Sequence, residues 1–576
     1  MRPTLTQLRA WVPESMIAAA TRMGRRVDEF DDSMDAVRRA STAVSESWRG
    51  VAAESACGRM DAESTIGNRM AVAGLEVVEA INQSVSRLEA VRKEALAIEL
   101  GLTSMGVDVG DNGEILGGVT RREERALASR LVAALDRVDD ADRMSAASLN
   151  VALQRFANVV EYDSGHQSSR EEVLARLGPV PTDAAALSDY WQSISVGDRA
   201  DLLVADPSIG SRPGMPAATR DYFNRERLDE LVAEATAERD RLAGGVDRGP
   251  GVGGGGGPDL ELESARMRLA GYEAVAEQRS DPRALLLDID DRGHAAVALN
   301  NPDTATHVTT LVPGTGSNLT TIGGLMDRAG RMLDVGAADS PNARHSVALF
   351  MGFDPPPNLI EAADSSYVEK GGPALREFQS GLRASHVGSD SYNTVVGHSI
   401  GATTVAYAAS RGHSLDADAL VFVGSPGSTV GHVTDLSLTG VDPSEIGDRV
   451  FSTKAPGDLV GLVGHAGPRA NDTLDAGGWL AGLLVPGGGT VFGQLMDLTG
   501  NVIESGYDGS GPHGVDPADT DRFGGRRFTA TFGDSGRSHG IDTDSHNEYW
   551  DYEDGRPVPA LDNMGRIISG HGGTVY

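Results

Sequence analysis

Residues 395–401 read Val-Val-Gly-His-Ser-Ile-Gly, and this stretch decides the fold that we expect. Its β-branched start is typical of a buried strand, and the alanine-rich residues 402–410 are typical of a helix. Ser399 would lie on the tight turn between them, where Gly397 and Gly401 avoid clashes of a Cβ atom with the strand or helix. The pattern predicts an exposed, nucleophilic serine, and its alternative is an ordinary Gly/Ser turn.

A second glycine-rich turn follows an earlier strand. His307–Val312 is strand-like and ends in Pro-Gly-Thr-Gly-Ser-Asn at residues 313–318. Next to a G-x-S-x-G serine, such a turn supplies one backbone N–H of the oxyanion hole, and the residue after the serine supplies the other. We therefore expect Thr315 and Ile400 to be the donors. A phosphate-binding loop is the alternative, but the turn lacks the third glycine of a dinucleotide fingerprint and the Gly-Lys-Ser/Thr of a P-loop.

An orienting carboxylate is expected at the end of a later strand, because the loops of a parallel sheet converge at its carboxyl edge. Ala419–Val423 and Arg449–Thr453 are strand-like, and the second is followed by Ala-Pro-Gly-Asp at residues 455–458. Asp458 is the favoured acid. A turn aspartate is its alternative, while Asp435 and Asp442 lie farther from a strand end.

The general base is expected after the last strand, for which Arg526–Phe532 is the candidate. His539 and His546 follow it. The order Ser399, Asp458, His546 is one of the known chain orders of a serine triad, and His539 is the second candidate for the base.

A metal site is the alternative at the same place. His539, Asp542, Asp544, His546 and Glu548 form a dense group of nitrogen and carboxylate ligands. The group has neither an H-E-x-x-H pattern nor a cysteine pair, and acidic loops are mostly solvated. We therefore predict no metal.

The chain from about residue 284 to residue 570 resembles an α/β-hydrolase domain family of unknown function found in actinobacterial proteins. The resemblance lies in residues 311–316 and 397–401, in His-Gly-Val-Asp-Pro at 513–517 with Phe-Gly at 523–524, and in His-Asn-Glu-Tyr-Trp at 546–550. A preceding segment, from Tyr190-Trp191 to Asn224, also resembles it. The resemblance implies Ser399 as nucleophile and His546 as base, and it favours Asp458 as acid. It implies no particular substrate.

Composition restricts the class of protein. The chain has 576 residues, 40% of them hydrophobic, which is enough for a large core and for two to four domains. Its net charge of −32 argues against a nucleic-acid-binding surface, which needs clustered Lys and Arg. The single cysteine, Cys57, excludes an intramolecular disulfide. We find no signal region and no long apolar run, so we expect neither Sec-type export nor an integral membrane segment.

The first half of the chain is predicted to be helical. Residues 4–44 and 51–100 have helical periodicity, and Trp48-Arg49-Gly50 separates them. This arrangement resembles the WXG helical hairpins of type VII secretion. A tryptophan in an ordinary interhelical turn is the alternative.

The predicted domains are a WXG-like hairpin at 1–105, a helical region packing on the hydrolase at 106–243, a Gly-rich linker or loop at 244–258, and the catalytic domain at 259–576. The predicted fold is a doubly wound, mostly parallel α/β-hydrolase preceded by an all-α region.

The predicted activity is hydrolysis of a carboxylic ester by Ser399, His546 and Asp458, without a cofactor. The expected substrate is a small-molecule or lipid ester, and thioesters and amides are alternatives. The N-terminal helices would bind a protein partner if the chain is instead a type VII-related effector. The expected location is the cytoplasm, or the exterior by a signal-peptide-independent type VII route.

Overall fold

The computed structural model describes residues 3–117, 122–158, 170–194, 196–245, 257–357, 361–455, 458, 510–511, 513–531 and 546–576. The chain divides into two compact units. The helical unit comprises Met1–Phe223 and Gly381–Asp390, and the sheet unit comprises Asn224–Ser380 and Ser391–Tyr576. None of the described helices is both long enough and apolar enough to span a membrane.

The helical unit is built on three long helices. Its helices are α1 (Leu5–Ala10), α2 (Pro13–Ser47), α3 (Val51–Ser104), α4 (Arg122–Asn158), α5 (Arg170–Leu177), α6 (Ala184–Ser193) and α7 (Val196–Ala205). The central helix α3 packs along both α2 and α4. Residues 48–50 connect α2 to α3, and the Trp48 side chain is half exposed there. Val72, Leu75 and Val85 of α3 are buried, in agreement with the helical periodicity of residues 51–100.

Helix α8 (Ala217–Gly245) contains the boundary between the units, and α9 (Gly257–Glu277) leads into the sheet. The predicted linker at 244–258 lies largely outside the described residues, because residues 246–256 are not among them.

The sheet unit contains an eight-stranded sheet. Its strands in chain order are β1 (Ala284–Ile289), β2 (Ala295–Leu299), β3 (His307–Val312), β4 (His345–Met351), β5 (Tyr392–His398), β6 (Ala419–Val423), β7 (Val450–Thr453) and, at the far edge, β10 (Arg526–Arg527). Their spatial order is β1-β2-β4-β3-β5-β6-β7-β10. The β1-β2 and β2-β4 pairs are antiparallel, and the remaining pairs are parallel. The predicted mostly parallel α/β-hydrolase sheet with a helical N-terminal region is therefore confirmed.

Four short strands lie outside the order of the main sheet. They form two antiparallel pairs, β8 (Ser510–Gly511) with β9 (Gly514–Val515) and β11 (Tyr552–Glu553) with β12 (Arg556–Pro557).

Helices cover the sheet closely. They are α10 (Ile322–Asp339), α11 (Ser366–Ser385), α12 (Ile400–Ala408), α13 (Ile446–Arg449), α14 (Thr520–Phe523) and α15 (Pro559–Ile568). Every residue of β2, β4, β6 and β7 is buried, as expected for strands covered on both faces. A Cβ atom on Gly565 would lie 3.0 Å from Val335, so a glycine allows α15 to approach α10 this closely.

The predicted strands at 307–312 and 419–423 match β3 and β6. The last predicted strand, Arg526–Phe532, is shorter: β10 has two residues, paired with Phe451 and Ser452 of β7. The periodicity argument did not identify β2 and β4, which are the antiparallel neighbours at one side of the sheet.

Candidate active site

The predicted serine turn joins β5 to α12 at the carboxyl edge of the sheet. Ser399 has φ 56° and ψ −130°, a backbone conformation that costs a non-glycine residue about 1–3 kcal/mol. Its N–H donates to Val423 O at 2.9 Å, which connects the turn to the end of the neighbouring strand β6. Strain of this kind persists only where the surrounding structure enforces it, and it concentrates at functional sites.

The two flanking glycines are required by packing. A Cβ atom at Gly397 would lie 2.4 Å from Ala402 Cα, and one at Gly401 would lie 2.3 Å from Val312 O. Any side chain at either position would therefore collide with backbone. The roles that the sequence predicts for these glycines agree with this geometry.

The loop after β3 lies directly against the serine. A Cβ atom on Gly314 would be 2.7 Å from Ser399 Cβ and 3.3 Å from Ser399 Oγ. Thr315 follows in this loop, and Ile400 begins α12, where backbone N–H groups have no acceptor within the helix. Both predicted oxyanion donors thus belong to segments that adjoin Ser399.

Asp458 and His546 form a hydrogen-bonded pair. His546 Nδ1 lies 2.8 Å from Asp458 Oδ2, and the side chains are 15% and 0% exposed, respectively. Because an ionised carboxylate can only accept, Nδ1 carries a proton and donates to Asp458, which leaves Nε2 as the nitrogen that can act as a base.

The pair lies against the turn that follows β6. Gly424 has φ +55°, and a Cβ atom there would lie 2.7 Å from Asp458 Oδ2 and 3.1 Å from the His546 ring. Gly424 directly follows Val423, whose carbonyl accepts the Ser399 N–H. The turns after β3, β5 and β6 therefore bring together residues that are distant in the sequence.

Tyr549 supports the carboxylate and was not predicted from the sequence. Its hydroxyl donates to Asp458 Oδ2 at 2.6 Å and accepts from the Ala455 N–H at 2.9 Å. Burial, followed by the negative charge of Asp458, raises the pKa of Tyr549, so the phenol stays protonated and remains a donor. Its presence in the His-Asn-Glu-Tyr-Trp segment was the only signal in the sequence.

His398 holds the backbone of the base. Its Nε2 donates to His546 O at 2.9 Å, and its ring packs 4.6 Å from the His546 ring. Burial, with the neighbouring His546 and Arg328, holds the pKa of His398 well below its usual value, so this donor is neutral.

Arg328 on α10 holds the residues after the base. Its guanidinium lies 4.8 Å from the centre of the Trp550 ring, and Nη2 donates to Asn547 Oδ1 at 3.0 Å. Trp550 in turn packs edge-on against His398.

The remaining histidines and acidic residues named in the sequence analysis lie partly within and partly outside the described residues. His513 is buried, and its Nε2 donates to Ala362 O. His539 lies outside the described residues, as do Asp542 and Asp544 of the predicted ligand group. Within the described ranges, no group of three or more His, Cys, Asp or Glu side chains is arranged to hold a metal ion.

Comparison with known proteins supports the fold. Residues 288–467 match the family described as "Alpha/beta hydrolase". Two curated Mycobacterium tuberculosis proteins, "Uncharacterized protein MT2140" of strain CDC 1551 / Oshkosh and "Uncharacterized protein Rv2079" of strain ATCC 25618 / H37Rv, are each 29% identical over 433 residues. These alignments cover 71% of this chain and 59% of each relative. No solved structure gives a significant match. The family match supports a hydrolase related to uncharacterized actinobacterial proteins.

Proposed function

We propose that the protein is a serine hydrolase that cleaves a carboxylic ester through an acyl-enzyme, with Ser399 as nucleophile, His546 as base and Asp458 as orienting acid. The observation that carries the proposal is the Asp458–His546 pair against Gly424, one residue beyond the carbonyl that accepts the Ser399 N–H.

In the first half of the reaction, Ser399 Oγ bonds to the acyl carbon while its proton moves to His546 Nε2. The carbonyl π electrons move onto oxygen, and the N–H groups of Thr315 and Ile400 stabilise the resulting oxyanion. When the intermediate collapses, the bond to the alcohol oxygen breaks, and the alcohol leaves with the proton from Nε2. The imidazolium formed in between is stabilised by Asp458.

In the second half, water attacks the acyl carbon and gives its proton to His546 Nε2. Collapse of this intermediate breaks the bond to Ser399 Oγ, which regains the proton, and the carboxylic acid leaves. Tyr549 and His398 act as positioning residues, since one holds the carboxylate of Asp458 and the other holds the backbone of His546.

Labelling with a fluorophosphonate, which reacts with activated serines, tests the nucleophile. We expect the intact protein to be labelled and to hydrolyse short p-nitrophenyl esters. Ser399→Ala should abolish labelling and lower kcat by several orders of magnitude, because loss of a triad member removes the reaction path. Ser410→Ala, at a buried serine just after α12, is the matched control. Turnover retained by Ser399→Ala would contradict the proposal.

The base is tested separately. We expect His546→Ala to be as damaging as Ser399→Ala, because the triad acts as a unit, and we expect His539→Ala to be milder. Comparison of kcat for His546→Ala and His539→Ala on one ester decides which histidine is the base. The opposite ranking would move the base to His539.

A further inference from the structure

A cavity of about 420 Å³ lies beside the loop that adjoins Ser399. This volume is in the range of small-molecule sites. Its wall includes Pro313, which directly precedes Gly314. A Cβ atom added to Gly314 would lie 2.7 Å from Ser399 Cβ. The cavity therefore begins within two residues of the proposed oxyanion donor Thr315.

The position of the cavity relative to His546 decides which part of an ester it can receive. The cavity lies at the turns after β3 and β4, whereas His546 lies against Gly424 in the turn after β6. Strand β5, which carries Ser399, runs between β3 and β6. The leaving alcohol must take a proton from His546, so it lies on the β6 side. The opposite side is left for the acyl chain.

The wall of the cavity combines apolar with polar and charged side chains. Its larger apolar side chains are Met267, Tyr272, Leu319, Met351 and Phe353, all of which except Met267 are almost fully buried. Burial of methylene groups against these apolar side chains is favourable. The wall is therefore suited to a hydrocarbon chain of several carbons.

Most charged groups at the cavity, or next to it, lie close to a group of opposite charge. Arg292 Nε donates to Asp290 Oδ2 at 2.8 Å. His294 Nδ1 lies 2.9 Å from the same carboxylate, and Nε2 lies 3.1 Å from Asp354 Oδ1. The bond to Asp290 contributes most to raising the pKa of His294, which favours its cationic form. Two carboxylates thus face two cations.

Arg268 adds a further positive charge at the cavity wall. It acts electrostatically on Tyr272, which lines the same wall, and on Glu238, whose carboxylate already accepts from Arg241 at 2.6 Å. A guanidinium pairs well with a carboxylate, through two parallel hydrogen bonds.

We propose that this cavity holds the acyl chain and that Arg268 selects chains that end in an anionic group, as in the monoester of a dicarboxylic acid. The proposal rests on the proposed ester hydrolysis. The carboxylate of such a chain is ionised at neutral pH and would pair with Arg268, which lines the cavity and is exposed.

Two esters that differ only in this charge test the selection. They are the mono-p-nitrophenyl ester of adipic acid and p-nitrophenyl hexanoate, which have acyl chains of six carbons. We expect kcat/KM to be about tenfold higher for the adipate ester, a difference of about 1.4 kcal/mol. The preference should appear mainly in KM, because the ion pair is made in the ground state and the transition state alike.

Arg268→Gln should lower the ratio of the two kcat/KM values to about one, because the amide keeps polarity and loses the charge. Arg266→Gln is the matched control, since Arg266 is exposed on the same helix, pairs with Glu263 and is not part of the cavity wall. Met267→Trp should narrow the cavity and lower the activity ratio of the hexanoate ester to the acetate ester.

The outcomes separate the two proposals. Fluorophosphonate labelling of Ser399 with equal activity on both esters, or a ratio that Arg268→Gln leaves intact, would overturn the acyl site alone. Absence of both labelling and ester turnover in the intact protein would overturn the ester hydrolysis and the acyl site with it.

Discussion

Asp458 is the residue on which the contacts of the candidate site converge. Its side chain is fully buried, and a buried carboxylate is unfavourable unless hydrogen bonds stabilise it. Tyr549 and His546 both bond to its Oδ2. Because these two donors share one oxygen, the phenol competes with the imidazole for the negative charge, and the strength of the Asp458–His546 bond depends on Tyr549.

We expect Tyr549→Phe to shift the acid limb of the pH profile of kcat/KM to higher pH, because the carboxylate of Asp458 then keeps His546 as its donor at Oδ2 without the competing phenol. The activity at the optimum should fall roughly 10- to 150-fold, since a hydrogen bond to a charged group contributes about 1.5–3 kcal/mol. Steady-state kinetics between pH 5 and pH 9, a range of about four units around the usual histidine pKa, measure both effects.

Tyr552→Phe is the control for this prediction, because Tyr552 lies three residues away and is 43% exposed. It should leave the pH profile unchanged. If Tyr549→Phe lowered activity evenly at every pH, Tyr549 would have a purely structural role.

The sequence predicted the residues that belong to a motif or that must follow a strand. It did not predict the residues whose role depends on contacts in the folded protein. Ser399 and its glycines are predicted from the G-x-S-x-G spacing, and Asp458 is predicted from its place after a strand. The place after the last strand left His539 and His546 open, and the family resemblance favoured His546. His398 occupies a variable position of the G-x-S-x-G motif, and Tyr549 and Arg328 lie at positions without such a rule. Their relevance depends on which side chains meet in space, which periodicity does not specify.

At the scale of elements, the turn after β6 has a strict geometric requirement of its own. Gly424 has a positive φ, and its missing side chain leaves the space in which Asp458 and the His546 ring lie. A strand end followed by Gly-Ser-Pro-Gly predicts a turn, but it does not reveal that other segments occupy the space beside it.

We expect Gly424→Ala to lower kcat about 100-fold or more, because the new methyl group would displace the Asp458–His546 pair, and a shift of about 1 Å can have this effect. Its backbone strain should cost about 1–2 kcal/mol of stability. Urea unfolding and ester kinetics on the same samples measure the two effects.

Gly440→Ala is the matched control. Gly440 also has a positive φ of +79°, and nothing lies within 4 Å of its Cβ position. This variant should lose similar stability and keep its activity. Equal activity of both variants would show that the space beside Gly424 is not needed for the reaction.

The prediction of elements succeeded where one pattern continued through the whole element. Strands β3 and β6 are short apolar runs that end at Gly or Pro turns, and the long helices have continuous apolar spacing. Strand β2 was missed because alanine, which is abundant in it, does not indicate a strand, and no local signal explains why β4 was missed. Long-range pairing, rather than local preference, determines these two strands.

At the scale of the whole molecule, the chain passes twice through the helical unit. After Phe223 it enters the sheet unit, and it returns for Gly381–Asp390. Within the helical unit, Ser188 Oγ donates to Ala384 O at 2.7 Å, and a Cβ atom on Gly381 would lie 2.8 Å from Pro213. Within the sheet unit, Asn224 Nδ2 donates to Leu286 O at 3.1 Å. Each unit therefore contains residues from both sides of the Gly-rich segment at 244–258.

We expect limited proteolysis to cut the chain first in the segment 244–258, because a glycine-rich segment has few side chains that can pack. The two fragments should still elute together in size-exclusion chromatography, since each unit is shared between them. Elution of the fragments as separate species under native conditions would contradict this prediction. Addition of denaturant before the column is the control, and it should separate them.

The return of the chain at residues 381–390 also sets the order in which the protein can fold during its synthesis. Early synthesis alone cannot complete the helical unit, although most of it lies at the N-terminus. At a translation rate of about 5–20 residues per second, its last contributing segment is made on the order of ten seconds after Phe223. Until then, the side chains around Pro213 and Ser188 lack their final neighbours, so the nascent helices pass through a period in which chaperones have an incompletely covered surface to bind.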